Sequence, residues 1–314
     1  MSQIIAVDFG GTNIRVASFD TPQPPPSEQS KTPTKASEGP EAVLERLKRS
    51  IRALFPQDGR NVRIGVGAPG PLNPRKGIVL EAPNLPGWKD IPLQKTLEEA
   101  FHCPVAIGND ANVAALGEWR FGAGVGTNNL IYLTISTGIG GGVIADGQLL
   151  LGAEGLAAEL GHMTVDPEGP MCGCGHRGHL EAIASGPGIA RRAQELILQG
   201  RSSSMQEIFE AQGTLTAIEV GQAAESGDEL ALEVIAHAGH AIGRHLADLA
   251  HAFNPEIFIF GGGVSQLGPL LFDPVREALH AHVMHPAYTR ELKVVPAALG
   301  DDAGLIGAMV LASP

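Results

Sequence analysis

The chain has 314 residues, 43% hydrophobic and 18% charged, with a formal net charge of -12 and a pI near 5.3. That is long enough for two packed domains and too acidic for nonspecific binding to nucleic acid or an anionic membrane, which needs a basic footprint. No positively charged start leads into an apolar run, no stretch is apolar enough to span a membrane, and Cys103 lies far from Cys172 and Cys174, so the expectation is a cytoplasmic small-molecule protein with no membrane or nucleic-acid partner and no disulfide framework.

Gln3 to Val7 is a short apolar run closed by Asp8, and Gly10 and Gly11 turn the chain into the alternating stretch Asn13 to Phe19. This predicts a β-hairpin. Backbone N–H groups at Gly10 and Gly11 can approach a phosphate closely, Thr12 can add a hydroxyl, and Asp8 can hold a phosphate-bound Mg²⁺ through water. A plain turn with a solvated Asp is the simpler alternative. Residues 21–39 are Pro-rich and read as a surface excursion with one edge strand. From Pro40, the residues Val43, Leu44, Leu47, Ile51 and Leu54 keep helical spacing. Val62 to Val66 is then a strand ending in Gly-Ala-Pro-Gly, Leu93 to Phe101 a helix, Val105 to Ile107 a strand and Asp110 to Trp119 a helix. Strand then helix, repeated, predicts an α/β sheet, with Asn109-Asp110 at a strand end where ligands meet such sheets. An N-cap would account for Asp110 equally well, and capping is compatible with accepting a hydroxyl proton.

The pattern restarts after Gly122 to Gly126: Leu130 to Ile135 reads as a buried strand, Gly138 to Gly142 as a turn, and Val143 to Leu151 as a second hairpin through Asp146-Gly147. Two hairpins with Gly-rich tips, each heading an α/β unit, predict duplicated domains facing one another across a cleft. The expected division is 1–118 plus about 300–314 for the smaller domain and 119–299 for the larger. Further on come a long helix from Asp228 to Phe253, a strand from Ile257 to Phe260 running into Gly261, Gly262 and Gly263, a strand from Leu292 to Val295, and a closing helix from Ala303 to Leu311 that is expected to pack back on the first domain.

Between the second hairpin and the helical region, Glu159 to Glu181 places His162, Cys172, Cys174 and His179 on a Gly- and Pro-rich loop. Thiolates and imidazoles at this density suit a tetrahedral zinc ion that fixes a segment too short to build its own core. Four protein ligands leave no open position, which favours a structural zinc. Competing nucleotide motifs fail on inspection. No Gly-Lys pair is present for a Walker A loop. The dinucleotide fingerprint finds Val143 after Gly138 and Gly140, and Gln266 after Gly261 and Gly263, where its third Gly belongs. A kinase-type catalytic loop is also missing.

Taken in order, DFGGTNIR, STGIGGG, GGGVS and above all ELGHMTVDPEGPMCGCGHRGHLEAIASG resemble the ROK family of bacterial sugar kinases, closest to its glucokinases, over essentially the whole chain. The resemblance implies an actin-like ATPase (RNase H-like) fold and ATP-dependent phosphorylation of a hexose at the 6-hydroxyl, glucose first, with ATP, Mg²⁺ and structural Zn²⁺ as cofactors. Asp110 matches the family's general base. Asn84, Asn109, Glu159, His162 and Glu181 match its sugar-hydroxyl ligands, with Gly67 to Gly70 as the neighbouring loop. Asp8, Gly10, Gly11 and Thr12, together with Thr137, Gly138 and Gly140, match its phosphate turns, and Gly261, Gly262 and Gly263 the adenosine side.

One departure stands in the metal loop, where the family's third zinc cysteine is His179 here; His162, Cys172, Cys174 and His179 are the expected ligands, with His176 the alternative for the fourth place. Mannose, N-acetylhexosamine or fructose are alternative substrates, and polyphosphate or ADP alternative donors. A sugar-sensing regulator of the same family is the alternative from another class; such regulators carry an additional N-terminal DNA-binding domain, whereas the phosphate turn here begins at Asp8. The expected assembly is a homodimer or homotetramer.

Overall fold

The computed structural model describes residues 3–56 and 61–313. The first half of the chain runs β1 (Gln3–Phe9), β2 (Asn13–Phe19), β3 (Glu28–Pro33), α1 (Pro40–Leu54), β4 (Val62–Ala68), β5 (Leu72–Asn73), β6 (Ile78–Glu81), β7 (Lys89–Ile91), α2 (Leu93–Phe101), β8 (Val105–Asn109) and α3 (Asp110–Phe121). The second runs β9 (Leu130–Ile135), β10 (Ile139–Ala145), β11 (Gln148–Leu149), α4 (Leu180–Ala184), α5 (Gly186–Leu198), α6 (Gln206–Gln212), α7 (Ala217–Glu225), α8 (Glu229–Phe253), β12 (Ile257–Gly261), α9 (Pro269–His282), β13 (Lys293–Pro296) and α10 (Ala303–Ala312). No helix among the described residues is long and apolar enough to cross a membrane.

Two five-stranded sheets carry the same order, β3-β2-β1-β4-β8 and β11-β10-β9-β12-β13. In the first, β1 pairs antiparallel with β2 and parallel with β4, and β4 parallel with β8. In the second, β9 pairs parallel with β12, and β12 with β13. The repeated order is the duplication that the two Gly-tipped hairpins predict, in the actin-like (RNase H-like) α/β architecture that the family resemblance implies. By packing, one compact unit comprises 1–128, 142–158 and 297–314, and the other 129–141 and 159–296.

This division differs from the expected boundaries at 118 and 299, and the reason is local. The N–H of Gly122 and that of Gly124 both donate to the Glu118 carbonyl (3.0 and 2.9 Å), while a Cβ at Gly142 would lie 2.5 Å from Ala115 Cβ. Segments on both sides of β9 are thereby held on α3. The turn expected at Gly138 to Gly142 also falls earlier: Ser136 N–H donates to Gly138 O (2.8 Å) and β10 begins at Ile139, so Gly140, Gly141 and Gly142 are strand residues. The Asp146-Gly147 hairpin forms as expected, with both residues at positive φ. The small antiparallel sheet β5-β6-β7 was not anticipated.

In the first unit, alternation along β1 splits its side chains between two cores. Ile5, Val7 and Phe9 join Val43, Leu47 and Ile51 of α1 and Leu93 and Leu97 of α2. Ile4 and Ala6 join Val113 of α3 and Leu305, Ala308 and Met309 of α10, so the closing helix does pack on the first unit. Its approach is possible because Gly65 and Gly307 lack side chains: a Cβ at either would fall within 2 Å of a backbone oxygen, Ala308 O (1.9 Å) or Val113 O (1.7 Å).

Glu118 fastens this arrangement. It is completely buried, and its carboxylate accepts the N–H groups of Ala123 (2.8 Å), Ala298 (3.1 Å) and Leu299 (2.8 Å). It thus pins the segment after α3 and the one before α10, two stretches remote in sequence. Glu118→Ala orphans three backbone donors and should cost about 3 kcal/mol or more, with Glu118→Gln losing roughly half as much. Urea denaturation measures both; a loss below about 1 kcal/mol for the alanine variant would mean that the clasp is dispensable.

Candidate functional site

Parallel register brings three motifs of the first unit to the same sheet edge. Asp8 of β1 is level with Gly67 of β4, and Gly67 and Ala68 are level with Gly108 and Asn109 of β8. This is the carboxyl edge, where open α/β sheets bind ligands. Asp8, Gly10, Gly11 and Thr12 line a cavity of about 480 Å³ with Arg15, Lys31 and Asp301, so the expected phosphate turn comes together. Gly10 N–H donates to Asn13 O (2.9 Å), and the Thr34 hydroxyl donates to Gly10 O (2.6 Å). Arg15 faces Asp8 because the hairpin register sets them opposite; its guanidinium lies 3.8 Å from the Asp8 carboxylate, pairs with Asp302 (2.5 Å) and donates to Asp301 O. Gly304 admits Asp8 beside the first turn of α10, since a Cβ there would lie 2.9 Å from Asp8 Cγ. Burial raises the Asp8 pKa above the ordinary aspartate value, with Arg15 opposing and Asp301 adding. Sequence reading missed Arg15, Lys31 and Asp301, although alternation from Asp8 through the hairpin was a usable signal for Arg15.

At the start of α3 two neighbouring residues divide the work. Asn109 is the N-cap, its Oδ1 accepting from Ala111 N–H (3.0 Å) and Asn112 N–H (3.4 Å), while Nδ2 faces Gly70, where a Cβ would stand 2.8 Å away. Asp110 is exposed in the first turn, with Oδ1 accepting from Ala111 N–H (2.8 Å); the positive end of the helix favours a carboxylate there. Asn84 packs against the Gly10-Gly11 turn, its Cβ 3.0 Å from where a Gly11 side chain would begin. The loop carrying it is anchored by Trp88, buried against Phe9 with ring centroids 4.9 Å apart.

In the second unit, Glu181 in the first turn of α4 organises the surroundings. Its Oε2 accepts from Ile139 N–H (2.9 Å) and would sit 2.6 Å from a Cβ at Gly138, while Oε1 lies 3.5 Å from Cys172 Sγ. Gly161 allows the Glu159–His162 segment to lie against β10, since a Cβ there would meet Ile139 O at 2.0 Å. Although Glu159 reaches solvent as a residue, the packing around its carboxyl raises its pKa, with His162 opposing and Glu181 adding.

The ligating atoms of His162, Cys172, Cys174 and His179 all lie within 4.8 Å of one another. Cys172 Sγ is 3.7 Å from His162 Nδ1, and Cys174 Sγ is 3.2 Å from His179 Nδ1. Tetrahedral zinc with ordinary Zn–S and Zn–N bonds holds its ligand atoms about 3.3–3.8 Å apart, so the donor set suits that ion and these two pairs stand near its spacing. His176 Nδ1 also lies 3.7 Å from Cys174 Sγ, but on an exposed residue, whereas His179 is buried. Burial, with the charges of His162 and His176, lowers the His179 pKa toward the neutral, ligating form. Burial pushes the Cys172 thiol up to about 11; at Cys174 burial also works upward, but hydrogen bonds from His176 outweigh it and the thiol falls to about 7. The chain reverses tightly at Gly178, where any side chain would collide with Asp166 O.

A second cavity, of about 670 Å³, lies wholly within this unit between the β9–β10 turn, α5, α7 and the turn after β12. Thr137 and Gly263 line it, together with Ser136, which the sequence left out of the candidate residues. Gly138 is a close-approach position under Glu181. Gly261 and Gly262 fulfil the same purpose against Tyr132 and the Ile135 backbone, and Gly140 lies inside β10. The α7 wall of this cavity was not anticipated, because its residues follow an ordinary amphipathic pattern.

A family model described as ROK family matches residues 4–314. A glucokinase of Halalkalibacterium halodurans is 39% identical, covering 96% of this chain and 92% of its own length. A glucokinase of Thermotoga maritima is 39% identical over 98% of this chain and 96% of its own. A ROK family glucokinase of Streptomyces griseus, solved in complex with glucose and AMPPNP, is 34% identical with a TM-score of 0.82, covering 99% of both chains.

The partly buried Asp8 has a stability consequence. Its carboxyl loses its proton at a higher pH in the folded chain than in the unfolded one, so between the two pKa values the folded state binds more protons and stability falls as pH rises. Above the folded pKa the whole cost is present. Asp8→Asn should therefore raise the melting temperature of the ligand-free protein at neutral pH, with the advantage vanishing in acid below the unfolded pKa. Thermal melts across that range test this, and an advantage unchanged by pH would show that Asp8 ionisation is not its source.

Proposed function

We propose that this chain, which belongs to the ROK family, is an ATP-dependent glucokinase that transfers the terminal phosphoryl group to the 6-hydroxyl of glucose. The name glucokinase borne by the two relatives, and the glucose and AMPPNP in the Streptomyces griseus complex, support the reading. The observation within the chain that carries it is the start of α3, where Asn109 performs the capping and Asp110 presents a carboxylate beside it.

Phosphoryl transfer asks the protein mainly for positioning and charge neutralisation. Asp110 accepts the proton of the 6-hydroxyl as that oxygen attacks, and Asn109 and Asn84 orient the sugar. Glu159 and Glu181 accept hydroxyl hydrogen bonds. His162 has two ring nitrogens, so Nδ1 on the metal side leaves Nε2 for a sugar hydroxyl. Backbone donors at Gly11 and Thr137 receive phosphate oxygens, the Gly10 N–H being taken by Asn13 O within the turn. Asp8, a hard oxygen donor at a strand end, would hold the Mg²⁺ that neutralises phosphate charge. A zinc bound by His162, Cys172, Cys174 and His179 would cross-link the loop leading into α4 and so fix Glu181. The proposed location is the cytoplasm, and the proposed assembly a homodimer or homotetramer.

Asp110→Asn should lower kcat at least about a hundredfold while leaving the glucose KM within a few fold, as read by a coupled assay of glucose 6-phosphate across a panel with mannose, N-acetylhexosamines and fructose. Near-normal turnover of the variant would reduce Asp110 to a helix-start residue. Preference for another hexose would move the substrate and leave the base in place.

Elemental analysis of the purified protein should find about one zinc per chain. His179→Ala should lose it far more readily than His176→Ala, and His179→Cys should keep it, with the loss expressed as a raised sugar KM through Glu181 rather than a raised ATP KM. Active protein without zinc, or release of the metal by His176→Ala alone, would overturn this ligand set.

A further inference from the structure

The metal loop carries both of its sulfur ligands in one C-x-C step. Cys172 and Cys174 are two of the chain's three cysteines, and the third, Cys103, lies in the other compact unit. The backbone folds the pair together: Cys172 N–H donates to His176 O (2.8 Å), Gly175 N–H donates to Cys172 O (2.9 Å), and Met171 bridges Arg177. The two sulfurs accordingly lie within 4.8 Å of each other. Gly173 between them has nothing within 4 Å of where a Cβ would stand, so the step is sterically free to bring the sulfurs into bonding distance.

The two thiols differ in access. Cys172 is 5% exposed and faces His162 and Glu181, whereas Cys174 stands at the surface in the exposed run from Gly173 to Arg177. An oxidant arriving from solvent meets Cys174 first. His179 makes the consequence larger: with imidazoles at 162 and 179, the cluster offers a metal no third thiolate. One disulfide between Cys172 and Cys174 removes both sulfur ligands together and leaves two imidazoles, too few for a closed tetrahedral zinc site.

We infer that Cys172 and Cys174 form a peroxide-responsive dithiol whose oxidation releases the zinc and thereby lowers sugar affinity. The inference rests on the zinc ligand set and the kinase reading above, and extends them to oxidation. The Cys174 thiolate attacks one oxygen of hydrogen peroxide; the O–O bond breaks, the sulfur becomes a sulfenic acid, and the other oxygen leaves as hydroxide. The Cys172 thiolate then attacks the sulfenic sulfur, the S–S bond forms, the S–O bond breaks, and a second hydroxide leaves. Two thiolates have given two electrons to one peroxide, and zinc departs as the free dication. Glu181 is exposed to the change directly, because Cys172 Sγ lies 3.5 Å from its Oε1. A small dithiol restores both cysteines by exchange. Transient disulfides of this kind occur in reducing compartments, where structural ones are rare.

The test needs no substitution in the loop. Zinc-bound wild-type protein treated with hydrogen peroxide should release about one zinc per chain to a metallochromic chelator, in step with the loss of two of its three thiols. Peptide mapping should find Cys172 joined to Cys174, and dimedone present during the oxidation should label Cys174. Cys103→Ser should respond as the wild type does, and dithiothreitol with added zinc should reverse the change. Oxidation should raise the glucose KM about tenfold, with a smaller change for ATP. Zinc retained while only the exposed Met163 and Met171 are oxidised, a disulfide that engages Cys103, or a glucose KM unmoved once the zinc is gone overturns the inference and leaves the ligand set standing. Protein that holds no zinc before treatment overturns the ligand set and the inference together. Zinc release and disulfide formation are read without sugar or nucleotide, so a chain that shows both but phosphorylates no sugar before oxidation overturns the kinase reading.

Discussion

The second unit is organised around one carboxylate. Glu181 accepts the Ile139 N–H, stands over Gly138 and lies beside the Cys172 sulfur, and it does so from the first turn of α4, where a negative charge is favoured. A single side chain therefore sets the relation between the β9–β10 turn, the metal loop and the helix that follows. The segments it joins have little apolar material of their own: Met171 and the stretch from Gly173 to Arg177 are all exposed. Such a loop keeps one conformation only through cross-links, either the backbone bridges at Thr164–His179 and Met171–Arg177 or a metal on its thiolates and imidazoles. Glu159, His162 and Glu181, the sugar contacts proposed above, would inherit their precision from those cross-links.

The first unit solves the same problem by a different route. Its Gly10–Thr12 turn is short and framed by sheet, so hydrogen bonds from Thr34 and the hairpin suffice to hold it. What needs arranging is charge. Asp8 stands among Arg15, Asp301 and the first turn of α10, and the approach of that helix depends on glycines at 65, 304 and 307. A chain segment from the far end of the sequence thus completes the surroundings of a residue near its start, and the buried Glu118 carboxylate pins the stretch that delivers it.

The elements that could be read from the sequence were those whose function and fold use the same residues. Gly-tipped hairpins, the alternation in β1 and β2, the helix following Asn109, and the Cys-His loop each combine a structural need with a chemical one, so the pattern is visible twice. The β5–β7 sheet left no such mark, since its strands are two to four residues long and too short to establish a period. Gly140 to Gly142 misled for a physical reason. Glycine in a strand can serve close packing, here of Gly142 on Ala115, as readily as a turn. The α7 wall was invisible because Ile218, Gln222 and Glu225 look like the outward face of any helix, and only the tertiary fold turns that face into a cavity. Arg15 lies between these cases, legible once the hairpin register is fixed by alternation.

Two carboxylates at the candidate sites, Asp8 and Glu159, have pKa values raised by the protein around them. In a structural ion pair the partner normally lowers a carboxylate's pKa, and the pairing then stabilises the fold. Here packing outweighs the nearby Arg15 and His162, so neither carboxylate is held in place for the stability it brings. A group whose charged form is disfavoured by burial gains most from a new donor or cation, because that partner offsets desolvation already incurred in folding. The divalent ion proposed at Asp8 and the sugar hydroxyl proposed at Glu159 would be partners of that kind. The same reasoning separates these two residues from Glu118, whose three backbone donors satisfy it completely within the fold. Hydrogen bonding that is complete without a ligand points to architecture, and a carboxylate partly desolvated by its surroundings and still open to a partner points to binding.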